Sequence, residues 1–156
     1  MRLIVPVAVL LLAAVSLAAP AARAQSVMVQ QPWARATAPH AVTAAVYVTL
    51  TAGMVDRLIG GRTPVAARVQ VHETVEDGGV MRMVEAVGGL PLSSGRKVAL
   101  APGGYHLMLV GMHHQLMPGE SFPLTLHFAY EPPVTITVLV GAAGASIPPV
   151  SIMHMP

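Results

Sequence analysis

Apolar side chains recur at every second position in short runs along this chain. Val46, Val48 and Leu50 form one such run, Val69 and Val71 a second, and Phe122, Leu124, Leu126 and Phe128 a third. A period of two places alternate side chains on opposite faces of an extended strand, whereas a helix needs a period near 3.6. Between the runs stand turn signals: Ala38-Pro39-His40, Glu76-Asp77-Gly78-Gly79, Pro102-Gly103-Gly104 and Glu131-Pro132-Pro133. Many short strands at regular spacing, punctuated by Gly and Pro, predict an all-β, antiparallel β-sandwich or barrel.

The N-terminus has its own pattern. Arg2 precedes the apolar stretch Leu3–Ala19, and Pro20 and Ala22-Arg23-Ala24 follow. That order predicts a cleavable secretory signal over residues 1–24, with Gln25 opening the mature chain. The alternative is a membrane anchor, for which the stretch is at the short end. No cysteine stands at the junction to carry a lipid, so no membrane association is expected after cleavage. Residues 25–140 read as the folded domain, and the Gly-, Ala- and Pro-rich residues 141–156 as a flexible tail.

Export alters the charge balance. Without Arg2 and Arg23, the seven basic and seven acidic residues that remain cancel. No basic patch stands out, and nucleic acid is not an expected partner. The chain contains no cysteine, which excludes blue-copper, iron–sulfur and cysteine-zinc centres. It does carry seven His and ten Met. Thioether and imidazole are therefore the soft donors available to an exported, thiol-free protein.

Their placement is specific. In the stretch "YHLMLVG", Tyr105, Leu107 and Leu109 share one strand face, and His106 and Met108 share the other. Taken alone, that stretch fits either a satisfied polar residue beside a gap-filling Met or a reserved binding face. In "AARVQVHETV", Gln70 and His72 lie opposite Val69 and Val71. The Gly-Gly turn then leads to "VMRMVEAV", where Met81 and Met83 share a face, so a hairpin joins His72 to Met83. His72, Met83, His106 and Met108 are a set of two imidazoles and two thioethers, a combination that favours Cu(I) over Zn, Mg or Ca.

The segments "HETVEDGGVMRM" and "LAPGGYHLMLVGMHHQLMPGESFPLTLHF" closely resemble the periplasmic copper chaperone family PCu(A)C. The family motif falls on His72, Met83, His106 and Met108, and the Met that follows the first His in some members is Glu73 here. The resemblance runs from about "QPWARAT" to "TVLV". It implies a cupredoxin-like β-sandwich, a periplasmic location and Cu(I) bound near the surface. It also implies delivery towards the binuclear copper centre of cytochrome c oxidase, the acceptor being an oxidase subunit or a thioredoxin-like copper protein.

Other donors invite weaker readings. Met81 is a secondary ligand candidate or simply a packing residue. Met153, His154 and Met155 are either an ordinary chain end or a second copper hook, able to take Cu(II) through His154. His113 and His114, beside Met112 and Met117, read as exposed residues or a weak second site. His127 reads as solvent-facing and Trp33 as a core aromatic. The expected mechanism is ligand exchange rather than catalysis, since no nucleophile–base pair can be placed from the sequence. The competing classes are a periplasmic copper storage or resistance protein and a structural β-sandwich that binds no metal.

Overall fold

A computed structural model describes residues 26–149. The expected signal segment 1–24 and the candidate tail donors Met153, His154 and Met155 lie outside the described residues.

Ten strands and no helix make up the described residues: β1 (Val27–Arg35), β2 (Thr43–Ala52), β3 (Asp56–Arg62), β4 (Ala66–Asp77), β5 (Val80–Glu85), β6 (Leu90–Leu92), β7 (Lys97–Leu100), β8 (Tyr105–Met112), β9 (Ser121–Phe128) and β10 (Val134–Gly141). They pair in the order β5-β4-β8-β2-β1-β10-β9-β3-β6, with β7 joined to β2. A further pairing of β3 with β4, at Gly61↔Val69, closes seven of these strands into a barrel-like sheet. Closure removes most open edges; β5 is left projecting as an edge strand. One pairing departs from the antiparallel expectation. β1 and β10 run parallel, at Trp33↔Leu139 and Arg35↔Gly141. The first and last strands are joined through the whole intervening chain, so no hairpin forces them to run oppositely.

The alternating runs read in the sequence supply the interior. Val46, Val48, Leu50, Val71, Leu107, Leu109, Leu124 and Leu126 are buried in one hydrophobic cluster. Asp56, also buried, accepts hydrogen bonds from the backbone N–H groups of Arg57, Tyr130 and Glu131. It ties the β9–β10 turn to the start of β3.

A bulge in β1 decides what the outer face carries. Gln30 pairs with Thr49, but Trp33 pairs with Tyr47, so β1 holds one more residue than its partner there. Gln31 sits in this bulge with φ +49°. Before the bulge Val27 and Val29 point inward; after it Ala34 does, and Trp33 points outward beside Tyr47. Trp33 is buried as expected, at 4% exposure, but lies outside the interior cluster. It packs on Tyr47 with ring centroids 4.8 Å apart. Residues after β10 run back over this face: Arg35 Nε donates to the Ala145 carbonyl at 2.7 Å, and Pro148 and Trp33 line a common groove.

Candidate metal centre

Two registers bring the soft donors onto one face. The β4–β5 hairpin turns through Gly78 and Gly79, with φ of +59° and +81°. Two successive positive φ values are what a type I′ turn requires, and glycine adopts them without strain. The turn pairs Asp77 with Val80, and the ladder continues through Thr74↔Met83 to His72↔Glu85. On the other side of β4, His72 pairs with His106 and Gln70 with Met108. Residues opposite one another in an antiparallel pair project to the same side. Gln70, His72, Met81, Met83, His106 and Met108 therefore share the outer face, as the alternation predicts for each strand separately. Tyr47 is on the same face, 6.5 Å from His106 between ring centroids.

The burial of these side chains is graded. His106 is 2% exposed and Met108 9%, His72 is half-buried, and Met83 and Met81 on the edge strand are 57% and 58% exposed. The imidazoles of His72 and His106 are neighbours, with centroids 5.8 Å apart and planes tilted by 50°.

Each ring is oriented by one hydrogen bond. His106 Nδ1 donates to the Gly104 carbonyl at 3.3 Å, and His72 Nε2 donates to Gln70 Oε1 at 3.4 Å. The opposite nitrogens, His106 Nε2 and His72 Nδ1, are buried and have no partner. Because the acceptors are oxygens, the proton sits on the bonded nitrogen, and the unpartnered one keeps its lone pair. An unsatisfied buried polar atom costs about 1–3 kcal/mol. Two of them on neighbouring rings, each ring bonded through its other nitrogen to an oxygen acceptor, match the hydrogen-bonding pattern of metal-ligating histidines.

The electrostatics agree. Burial pushes the His106 imidazole below its ordinary pKa; the Gly104 carbonyl opposes this, and the neighbouring His72 adds to it. The neutral ring, which binds metal, is thereby favoured. Behind it, burial raises the Tyr47 phenol, with Arg35 opposing; the Arg35 guanidinium lies 5.8 Å from the Tyr47 ring centroid. Among the described residues no three His, Asp or Glu side chains gather as a metal-binding group. The face therefore offers two nitrogens and thioether sulfurs rather than a hard-ion cage. The orienting roles of Gly104 and Gln70 had no signature in the motif. Gln70 was visible only as a same-face neighbour of His72 in "VQVH".

Comparison with known proteins places the chain in a family. Residues 27–140 match the family described as "Putative lipoprotein LpqE-like". The chain belongs to the LpqE-like family. The LpqE-like region covers β1 to β10, and so contains the whole donor face. A relative from Leifsonia xyli subsp. xyli, also named as a lipoprotein, is 34% identical over 110 residues, covering 70% of this chain. This LpqE-like chain spans 66% of that relative's length. Among solved structures it is similar to the copper-bound PCuAC domain from PmoF2, at 28% identity and a TM-score of 0.62, covering 75% of this chain and 93% of that one. It is also similar to the solution structure of CuI-DR1885 from Deinococcus radiodurans, at 27% identity and a TM-score of 0.56, covering 77% and 83%. The LpqE-like chain thus has the cupredoxin-like fold of PCuAC domains, as its motif implied.

Proposed function

We propose that this protein is an extracytoplasmic copper chaperone that binds Cu(I) through His72 Nδ1, His106 Nε2 and the sulfurs of Met83 and Met108. The observation that carries this reading is that two neighbouring imidazoles, 5.8 Å apart between ring centroids, each keep a buried, unpartnered nitrogen on the strand face that also holds both thioethers. Two neutral imidazoles and two thioethers suit a closed-shell monovalent copper ion, and thioethers neither titrate nor form disulfides. The likeness to copper-bound PCuAC domains supports the same choice of metal.

The ion is cargo, and the burial gradient suggests an order of release. Met83 lies on the exposed edge strand, where an acceptor's donor atom can displace it first. His72 follows, and the buried His106 and Met108 let go last. A mixed-ligand state of this kind passes the ion on without freeing it into solution: each coordinate bond lost from this protein is replaced by one from the acceptor, and no covalent bond changes. The proposed destination is the binuclear copper centre of cytochrome c oxidase, reached directly or through a thioredoxin-like copper protein. Met81, two residues from Met83 on the same face, is an auxiliary contact, and Met153, His154 and Met155 are a proposed secondary hook.

Anaerobic Cu(I) titration against a chelator, followed by X-ray absorption, tests the site. One ion per chain with mixed sulfur and nitrogen neighbours is expected. A nitrogen- and oxygen-only environment would refute the assignment. Comparing a deletion strain for oxidase activity at low copper with its survival at high copper separates delivery from storage or resistance.

A further inference from the structure

At the opposite end of β8 from His106, three more histidines surround one cavity. His40, His113 and His114 line a space of about 430 Å³ together with Met112 and Gln115. His113 lies seven positions after His106, which in extended chain is roughly 23 Å, so this cluster is separate from the donor face described above.

The two loops that carry these histidines are fastened to each other on both sides. Gly111 and Met112 both donate their backbone N–H to the Val42 carbonyl, at 2.9 and 3.2 Å. Thr37 N–H donates to Leu116 O at 3.0 Å, Leu116 N–H to Thr37 Oγ1 at 3.0 Å, and Gln115 Nε2 to Thr37 O at 2.7 Å. His40 sits at the tip of the first loop with φ +62°, a backbone state uncommon for a residue with a side chain. His113 Nδ1 donates to Pro64 O and His114 Nδ1 to Gln115 O, both at 2.9 Å. In each ring Nδ1 donates to a carbonyl, and Nε2 is the nitrogen with a lone pair for a ligand. All three side chains are exposed. They are not already gathered on one point; the backbones are fixed, and ion binding requires the exposed side chains to rotate, the His113 and His114 rings exchanging their carbonyl contacts for the metal.

From this geometry we infer a second metal site, in which His40, His113 and His114 take a divalent ion, Cu(II) by preference. Three imidazoles with open solvent positions match the nitrogen and oxygen tetragonal environment that Cu(II) favours, and imidazole sites bind Cu(II) most tightly among first-row divalent ions. The two ends of β8 would then divide the metal by oxidation state, nitrogen donors for Cu(II) at one end and the mixed nitrogen–sulfur set for Cu(I) at the other. The inference goes beyond the chaperone reading and does not depend on it.

The test is aerobic titration with Cu(II) against glycine as a weak competitor, followed by electron paramagnetic resonance. The wild-type chain is compared with the triple variant His40→Ala/His113→Ala/His114→Ala and the double variant Met83→Leu/Met108→Leu. The expected result is a nitrogen-coupled Cu(II) signal whose apparent affinity falls at least tenfold in the triple variant and is unchanged in the double variant. The triple variant should keep wild-type Cu(I) affinity, since its three positions lie at the other end of β8 from the donor face, and that retained affinity shows that the barrel is intact. The inference is overturned if the wild-type chain binds no Cu(II), or if the signal survives the triple substitution. It is equally overturned if His72→Ala or His154→Ala abolishes the signal while the triple variant retains it.

Discussion

His72 stands directly across from His106 on the neighbouring antiparallel strand, and each ring turns an unpartnered nitrogen into the protein rather than to water. Oxygen acceptors on Gly104 and Gln70 hold the other nitrogens. The apo fold therefore keeps two lone pairs desolvated at a cost in stability, a cost that a bound ion would offset.

Replacing His106 by Leu removes one of those unpartnered atoms and fills the same buried space. The apo His106→Leu protein is expected to unfold within about 1 kcal/mol of wild type, or above it, because an apolar group of similar size needs no partner. Its Cu(I) affinity is expected to fall by more than the roughly 100-fold upper limit for losing an orienting partner alone. Urea unfolding of the apo protein and chelator competition read the two effects separately. A large loss of apo stability would show that Nε2 has a partner in solution.

The two thioethers should separate in stability and agree in binding. Met108→Leu changes a buried side chain at nearly constant volume and should cost less than about 1.5 kcal/mol; Met83→Leu, on the exposed edge strand, should stay within about 0.5 kcal/mol of wild type. Each is expected to weaken Cu(I) binding at least tenfold and to remove one sulfur neighbour from the X-ray absorption spectrum. Unchanged Cu(I) affinity in both would end the ligand assignment.

Gln70 Oε1 accepts from the His72 ring nitrogen opposite the unpartnered one, which casts Gln70 as a positioning residue. Gln70→Ala should lower Cu(I) affinity by about 10–100-fold while the number of sulfur and nitrogen neighbours stays the same. Gln70→Glu, which retains an oxygen acceptor, should restore most of that affinity. Failure of Glu to rescue would show that Gln70 acts through packing.

Acid should destabilise the apo protein through His106. Its folded-state pKa lies below the ordinary imidazole value of about 6.5. Between those two values the unfolded chain binds more protons than the folded one, so stability is fully present above the ordinary value and is lost as pH falls towards the folded value. The urea midpoint of wild type should drop from pH 7.5 to 5.5 more steeply than that of His106→Leu. Parallel curves would contradict the prediction.

The Gly78-Gly79 turn sets which residue of β5 faces Thr74, and hence the side on which Met83 projects. Asn adopts positive φ readily, so Gly78→Asn should leave stability and copper binding nearly unchanged. Gly79→Val forces a β-branched residue to φ near +81° and should cost about 1–2 kcal/mol. If the strain is relieved by a one-residue slip, Met83 moves to the opposite face and Cu(I) affinity falls with it. Amide hydrogen exchange across residues 74–85 would report the slip.

Much of the donor face was legible without coordinates, because side-chain parity in a strand is a local property. Val69 and Val71 against Gln70 and His72, and Leu107 and Leu109 against His106 and Met108, separate an inner from an outer face by alternation alone. The spacing shared with PCu(A)C chaperones points to His72, Met83, His106 and Met108, the four residues proposed here as ligands. Trp33 shows where that reading stops. Counting by twos from Val27 through Val29 puts Trp33 inward. The extra residue at the Gln31 bulge reverses the parity and sets the indole beside Tyr47 on the donor face.

The sequence by itself determined that the chain is all-β, which residues of each strand lie opposite its apolar run, and that its soft donors are imidazoles and thioethers. Tertiary structure alone decided that His72 meets His106, that their inward nitrogens are left without partners, and that Met83 is exposed while Met108 is buried. The reason is physical. Alternation depends only on neighbours two residues apart, whereas register and burial depend on pairings between strands distant in the chain, chosen by the packing of the whole barrel.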